Sequence, residues 1–108
     1  MSLSNKSYEE LEKASTEWSI AHGKVIILNE GLKATYSKCF LKHKLDSKTV
    51  IEAEHKSRTD KEYQAIVEQY AVAEEELIKA RYHYNNLDKY VSLKQSELKR
   101  DLALNSKV

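Results

Sequence analysis

Apolar residues recur every seven positions along two long stretches of this chain, and the pattern is lost between them. Such a repeat gives a helix one apolar stripe, which the helix can bury only against another helix. The first stretch has two apolar rows: Leu11, Trp18, Val25, Leu32 and Cys39, and then Ala14, Ala21 and Leu28. It predicts an amphipathic helix over about residues 7–41.

The second stretch is longer, and each of its two rows has six heptad-spaced positions, which we call rungs. Its rows are Tyr63, Tyr70, Leu77, Tyr84, Val91 and Leu98, and then Ile66, Ala73, Ala80, Leu87, Lys94 and Asp101. The second row ends in polar residues, so we expect the last rungs to face solvent, a neighbouring subunit or another ligand. The pattern predicts a long helix over about residues 60–104.

Capping signals mark where the helices begin. A Ser or Thr followed three residues later by Glu satisfies two free backbone donors at a helix N-terminus. The pairs are Ser7 with Glu10, Thr49 with Glu52, and Thr59 with Glu62. Residues 42–59, which we call the elbow, therefore form the turn, and the sequence leaves open whether about residues 49–56 form a short helix or a loop.

A short turn between two long helices makes them antiparallel neighbours, and 108 residues are typical of one domain. The chain has no proline, and its two glycines, Gly23 and Gly31, lie inside the first helix. Each costs about 1 kcal/mol relative to alanine, so the helix can bend there. We expect an all-α fold: a single domain, 1–108, that forms a long antiparallel helical hairpin resembling a coiled coil.

Many apolar residues lie outside the two stripes. They are Ile20, Ile26, Ile27, Tyr36 and Leu41 in the first stretch, and Val67, Val72, Ile78, Tyr82, Tyr90 and Leu93 in the second. Isolated apolar residues on a surface are normal, but so many on both helices indicate a second buried face. We expect a homo-oligomer, in the form of a helical bundle or ring.

The net charge of +1 conceals charge blocks, since residues 33–61 contain eight basic and four acidic residues. The elbow cations, as we call the basic residues in and beside the elbow, are Lys38, Lys42, Lys44, Lys48, Arg58 and Lys61. In an oligomer they would form a belt that holds phosphates and releases counterions. Exposed tyrosines would add base stacking, although Tyr63, Tyr70 and Tyr84 are better explained as seam residues, and Tyr82 and Tyr90 stay undecided.

Candidate chemistry is sparse. The sequence contains no phosphate-binding glycine loop, no HExxH and no nucleophile elbow, so we expect neither an enzyme nor a cofactor. Glu52 and His55 form half of a four-helix di-iron motif, and a metal-dependent enzyme assembled across subunits at these residues would require stoichiometric iron, manganese or zinc in the purified protein. Cys39 lies on a stripe and is expected to be a core residue, and His43 has no evident carboxylate partner.

No apolar run approaches the ~20 residues of a membrane span, and the first residues lack the pattern of a signal peptide. We therefore expect a cytoplasmic protein with no membrane partner.

Three sequence segments follow one another along the chain: EWSIAHGK from Glu17, DKEY from Asp60, and KARYHYNNLDKYVSLKQSELKR from Lys79. In this order the chain resembles the UvsY family of recombination mediators of large tailed phages. The resemblance implies a ring-like oligomer in the host cytoplasm that binds single-stranded DNA without sequence preference. It also implies partners, namely a recombinase and a single-strand-binding protein, and it assigns DNA binding to the elbow cations.

A second hypothesis needs no nucleic acid. Heptad hairpins commonly serve association alone, as chaperones, adaptors or phage assembly components, and the lysines would then serve solubility. Salt separates the two hypotheses, because phosphate contacts weaken steeply as salt rises whereas apolar docking holds or tightens.

The seam itself is testable. Leu77→Lys places an unpaired charge at the middle of the long ladder, and we expect a loss of about 3 kcal/mol, with dissociation or unfolding. Thermal unfolding followed by circular dichroism measures the effect. Unaltered melting would contradict the ladder.

Overall fold

The computed structural model describes residues 5–106 and is all-α in this range. Its helices are α1 (Asn5–Lys44), α2 (Val50–Arg58) and α3 (Lys61–Ser106). They account for 93% of the described residues, and the predicted helical hairpin is confirmed. None of the helices within this range combines the length and apolarity needed to cross a bilayer.

The chain divides into two compact units. Unit 1 combines Met1–Ile20 with Ile78–Val108, and unit 2 is Ala21–Leu77. In unit 1 the ring of Trp18 packs on that of Tyr84, with centroids 5.2 Å apart, and Gln95 donates a hydrogen bond to the Tyr8 hydroxyl over 3.3 Å. From the first contact to the second, the residue number falls on α1 and rises on α3, so the two segments are antiparallel. Such a ring pair contributes about 0.5 to 1.5 kcal/mol beyond the area it buries.

Ion pairs show the register of α1 against α3 in unit 2. Lys24 Nζ lies 3.2 Å from a Glu76 carboxylate oxygen, and Lys38 Nζ lies 2.9 Å from one of Glu62. A step of 14 residues along α1 is matched by 14 residues back along α3. Two heptads on each helix therefore stay in antiparallel register, and these pairs flank the apolar stripe as charges do in coiled coils.

The residues that are fully buried on α1 and α3 are all predicted ladder residues. Ala14, Cys39, Ala73 and Val91 are buried, and every other rung is half-buried except the polar Asp101, which is exposed. The half-buried rungs include Tyr63, Tyr70 and Tyr84. The seam interpretation of these tyrosines is confirmed, and small residues at the buried rungs let the helices approach closely.

The apolar residues outside the stripes are mostly exposed, as the surplus of such positions predicts. Ile20, Ile26, Ile27, Leu41, Val72, Ile78, Tyr82, Tyr90 and Leu93 are all exposed. Tyr36 and Val67 depart from that expectation because both are half-buried, and Tyr36 packs edge-on against Tyr63 of the stripe. In the single chain, α1 therefore exposes isoleucine side chains to solvent.

The elbow contains a helix, which answers the question that the sequence left open. Thr49 is the N-cap of α2, and its hydroxyl accepts a hydrogen bond from the Glu52 N–H over 3.1 Å. Ala53 and Ser57 are 0% exposed. The Ser57 hydroxyl bonds its own helix by donating to the Ala53 carbonyl over 2.7 Å, so these small residues let α2 pack closely without leaving the Ser57 hydroxyl unpaired.

Two of the predicted capping boxes are wrong. Asp60, not Thr59, caps α3: its carboxylate accepts from the Glu62 N–H over 2.9 Å, while the Thr59 hydroxyl donates back to the His55 carbonyl at the end of α2. Ser7 lies inside α1, which already begins at Asn5. A carboxylate accepts more strongly than a hydroxyl and also favours the helix dipole, so aspartate is the better cap.

The end of α1 also differs from prediction. The helix continues to Lys44, about one turn beyond the predicted end, and its last turn contains Lys42, His43 and Lys44. Cations at a helix C-terminus interact favourably with the helix dipole. The basic residues that we assigned to the elbow thus extend the helix.

The two glycines offer a matched test of the packing of α1. A Cβ added at Gly23 meets nothing within 4 Å, whereas one added at Gly31 lies 3.1 Å from Cδ1 of Ile66. Gly23→Ala should raise the free energy of unfolding by about 1 kcal/mol, the difference in helix propensity. Gly31→Ala should gain less or lose stability, because Ile66 must shift.

Urea unfolding of the two variants beside the unsubstituted protein measures this difference. Equal gains at both positions would show that α3 does not pack against Gly31.

Candidate nucleic-acid interface

The six elbow cations divide into two groups. Lys38 and Lys42 on α1 are paired with carboxylates at the start of α3: Lys38 with Glu62 at 2.9 Å and Lys42 with Asp60 at 3.2 Å. The hydrogen bond to Glu62 raises the pKa of Lys38. These two lysines therefore hold α1 against α3, and their charge is already balanced within the chain.

The other four elbow cations are exposed, and within residues 5–106 they form no salt bridge. Lys44 ends α1, Lys48 precedes the cap of α2, Arg58 ends α2 and Lys61 begins α3. Each therefore lies at or close to the terminus of a helix. We call them the free elbow cations.

Asp60 organises the elbow. One carboxylate oxygen accepts from Nε2 of His43 over 2.7 Å and from Lys42 over 3.2 Å, and the other accepts from the Glu62 backbone N–H. The side chain is only 8% exposed. The hydrogen bond from His43, followed by those from the Glu62 backbone and Lys42, holds the pKa of Asp60 well below its ordinary value.

The expectation that His43 stands without a carboxylate partner is wrong. Because an ionised carboxylate only accepts hydrogen bonds, Nε2 of His43 must carry the proton in its contact with Asp60. The two residues are 17 positions apart. No local spacing signals the pair, since the contact depends on how α2 returns the chain to α1.

Of the Glu52 and His55 pair, Glu52 is engaged in contacts around α2 itself. The Glu52 carboxylate accepts from the Lys48 backbone N–H over 3.1 Å and pairs with Lys56 at 3.2 Å. These contacts, led by the Lys48 backbone, lower the pKa of Glu52. Glu52 therefore completes the capping of α2, and His55 is exposed beside it.

A different cluster of metal-ligating groups lies where α1 faces the first turn of α3. Cys39 Sγ and carboxylate oxygens of Asp60 and Glu62 all lie within 4.8 Å of one another. Cys39 is buried, as predicted for a ladder residue, and burial followed by the charge of Asp60 raises the pKa of its thiol. The sequence signals were Cys39 and His43 one helical turn apart and the Asp60-x-Glu62 spacing.

The aromatic residues also fall into two groups, half-buried rings that pack on one another and rings that are exposed to solvent. Near the elbow, Tyr36 packs against Phe40 and Tyr63, with ring centroids 6.4 and 5.4 Å away, so these half-buried rings serve packing. In unit 1, Tyr82 is exposed with the Arg81 guanidinium 5.9 Å from its ring, and Tyr90 is exposed with Lys94 5.7 Å away. Tyr82 and Tyr90 are thus accessible for stacking on bases.

No protein-family model, curated protein sequence or solved structure matches this chain. The resemblance to phage recombination mediators therefore stays a prediction from the order of sequence features.

The contribution of the Asp60 contacts to the stability of the fold depends on pH. Asp60→Asn keeps an N-capping side chain but removes the charge that His43 and Lys42 contact. Because the folded protein holds the pKa of Asp60 below its ordinary 3.8, its charge stabilises the fold at neutral pH. That contribution disappears as pH falls below about 4 towards the folded-state pKa.

Urea midpoints of the two proteins in metal-free buffer should therefore differ most near pH 7 and converge in acid. A gap that is constant from pH 7 to pH 3 would contradict the charged network.

Proposed function

We propose that this protein binds single-stranded DNA through its free elbow cations and acts as a non-catalytic recombination mediator or accessory protein. The observation that carries the proposal is the division among the elbow cations. Among the described residues, Lys44, Lys48, Arg58 and Lys61 have no carboxylate partner, whereas Lys38 and Lys42 do. An unneutralised cation attracts phosphate without first giving up an internal ion pair.

Four cations on one chain give only weak binding, and the proposal therefore includes a homo-oligomer. Weak sites held together act through effective concentration, so several elbows along one strand bind far more tightly than one. Each phosphate contact releases counterions, which makes the binding independent of sequence and sensitive to salt. A mediator that is later displaced from DNA needs this combination of weak individual contacts.

The exposed apolar side chains on α1 support self-association. Ile27 and Leu41 lie two heptads apart on one face with Ala34 between them, and Ile27 is 72% exposed. A heptad-spaced apolar row is what a further helix packs against. We propose that another copy of the chain covers this row, and that the resulting assembly loads a phage recombinase in place of a single-strand-binding protein in the host cytoplasm.

The same row favours the second candidate function, a helical module that docks on another protein. In that case Ile27 and Leu41 contact the partner, and the free elbow cations provide solubility. Only the first of the two functions predicts that the protein binds a labelled single-stranded oligonucleotide.

The deciding experiment is fluorescence anisotropy of a labelled single-stranded oligonucleotide across a salt series. The test variant replaces Lys44, Lys48, Arg58 and Lys61 with Gln, which removes charge without disturbing the ion pairs of Lys38 and Lys42. We expect DNA affinity to fall at least tenfold at low salt. The salt slope should become shallower by about 0.7 for each phosphate that no longer meets a cation.

The control variant carries the same number of Gln replacements, of the same residue types, at exposed cations outside the elbow: Lys13, Lys89, Lys99 and Arg100. It should retain most of the affinity. Equal losses in both variants would show that only net charge matters. Absence of binding by the unsubstituted protein at low salt would overturn the proposal in favour of the docking module.

A further inference from the structure

The Cys39 thiol lies in an unusual place for a core cysteine. Its side chain is 1% exposed, yet Sγ faces the carboxylates of Asp60 and Glu62 rather than apolar atoms alone. The Asp60 carboxylate accepts hydrogen bonds from His43, Lys42 and the Glu62 backbone N–H, and the Glu62 carboxylate accepts one from Lys38. The buried thiol joins this network through a side-chain hydrogen bond with Asp60.

The donor set is chemically mixed. It joins one sulfur to two carboxylates, with an imidazole in direct contact with one of the carboxylates. Sulfur ligands favour borderline and soft ions such as Zn²⁺, while Mg²⁺ and Ca²⁺ prefer sets made of oxygen alone.

We propose that Cys39 Sγ and carboxylate oxygens of Asp60 and Glu62 form a Zn²⁺ site that fastens α1 to the first turn of α3. His43 supports the site by holding Asp60 through Nε2, as residues behind metal ligands do. Solvent supplies the fourth position, because the Glu62 side of the cluster is exposed. The site is independent of nucleic-acid binding.

The geometry requires only a small contraction. With Zn–S near 2.3 Å and Zn–O near 2.1 Å, neighbouring ligand atoms of a tetrahedral site lie about 3.5 Å apart. The three donor atoms already lie within 4.8 Å of one another. Glu62 can close the remaining distance by rotating, since its side chain is 53% exposed.

The charges also suit a divalent ion. Binding replaces the thiol proton, so one H⁺ passes to solvent as the Zn–S bond forms. The thiolate and two carboxylates then carry three negative charges against two positive charges on the metal. The nearby ammonium groups of Lys38 and Lys42 more than offset the one negative charge that remains.

The test uses the full chain, freed of metal, with Zn²⁺ followed by calorimetry and Co²⁺ followed by absorption. We expect one Zn²⁺ per chain, a thiolate-to-Co²⁺ charge-transfer band, and a melting temperature that rises with Zn²⁺ concentration but not with Mg²⁺. Cys39→Ala should abolish the band. Glu62→Gln should weaken Zn²⁺ binding at least tenfold.

His55→Ala is the matched control, because His55 is an exposed ligand type beside Glu52 in the same unit, and it should leave Zn²⁺ binding unchanged. Zn²⁺ binding that survives both Cys39→Ala and Glu62→Gln would overturn the proposal, as would absence of the Co²⁺ band in the unsubstituted protein. Glu62→Gln changes an exposed residue, so the test stands even where Cys39→Ala impairs folding.

Discussion

The structure depends on a narrow apolar seam between α1 and α3. In each unit the seam is closed by small buried residues, Ala14 in unit 1 and Ala73 in unit 2 among them. Small side chains bring two backbones close, and that distance decides which residues outside the seam can meet. The ion pair of Lys24 with Glu76 and that of Lys38 with Glu62 follow from the seam and do not create it, since exposed pairs add little stability.

The register of unit 2 has a direct consequence at the elbow. It places Asp60 against the last turn of α1, where the carboxylate caps α3 and accepts from His43 and Lys42. Two elbow cations are thereby neutralised, and the remaining four are left exposed. The same positioning brings Glu62 and Asp60 to Cys39, so one packing arrangement determines both proposed sites.

Heptad periodicity predicted the helices, the buried rungs and the surplus of exposed apolar residues, because burial on one helix face follows directly from spacing. It did not predict which carboxylate each lysine meets. In the sequence, Lys38 and Lys42 were indistinguishable from the other elbow cations, and His43 had no evident partner. Only the register shows that these three residues contact Asp60 and Glu62 at the start of α3. The cap of α3 was misassigned for a local reason, since Thr59 and Asp60 are adjacent and both residue types cap helices.

The most direct test of this account is zero-length cross-linking with a carbodiimide, which joins an amine to a carboxylate in contact with it. Peptide mass spectrometry should identify amide bonds between Lys24 and Glu76 and between Lys38 and Glu62. Lys44, Lys48 and Lys61 should give none within the chain, and mixing with isotope-labelled protein separates links between copies. Links from Lys24 to Glu62, or from Lys44, Lys48 or Lys61 to carboxylates of their own chain, would contradict the register and the existence of free elbow cations.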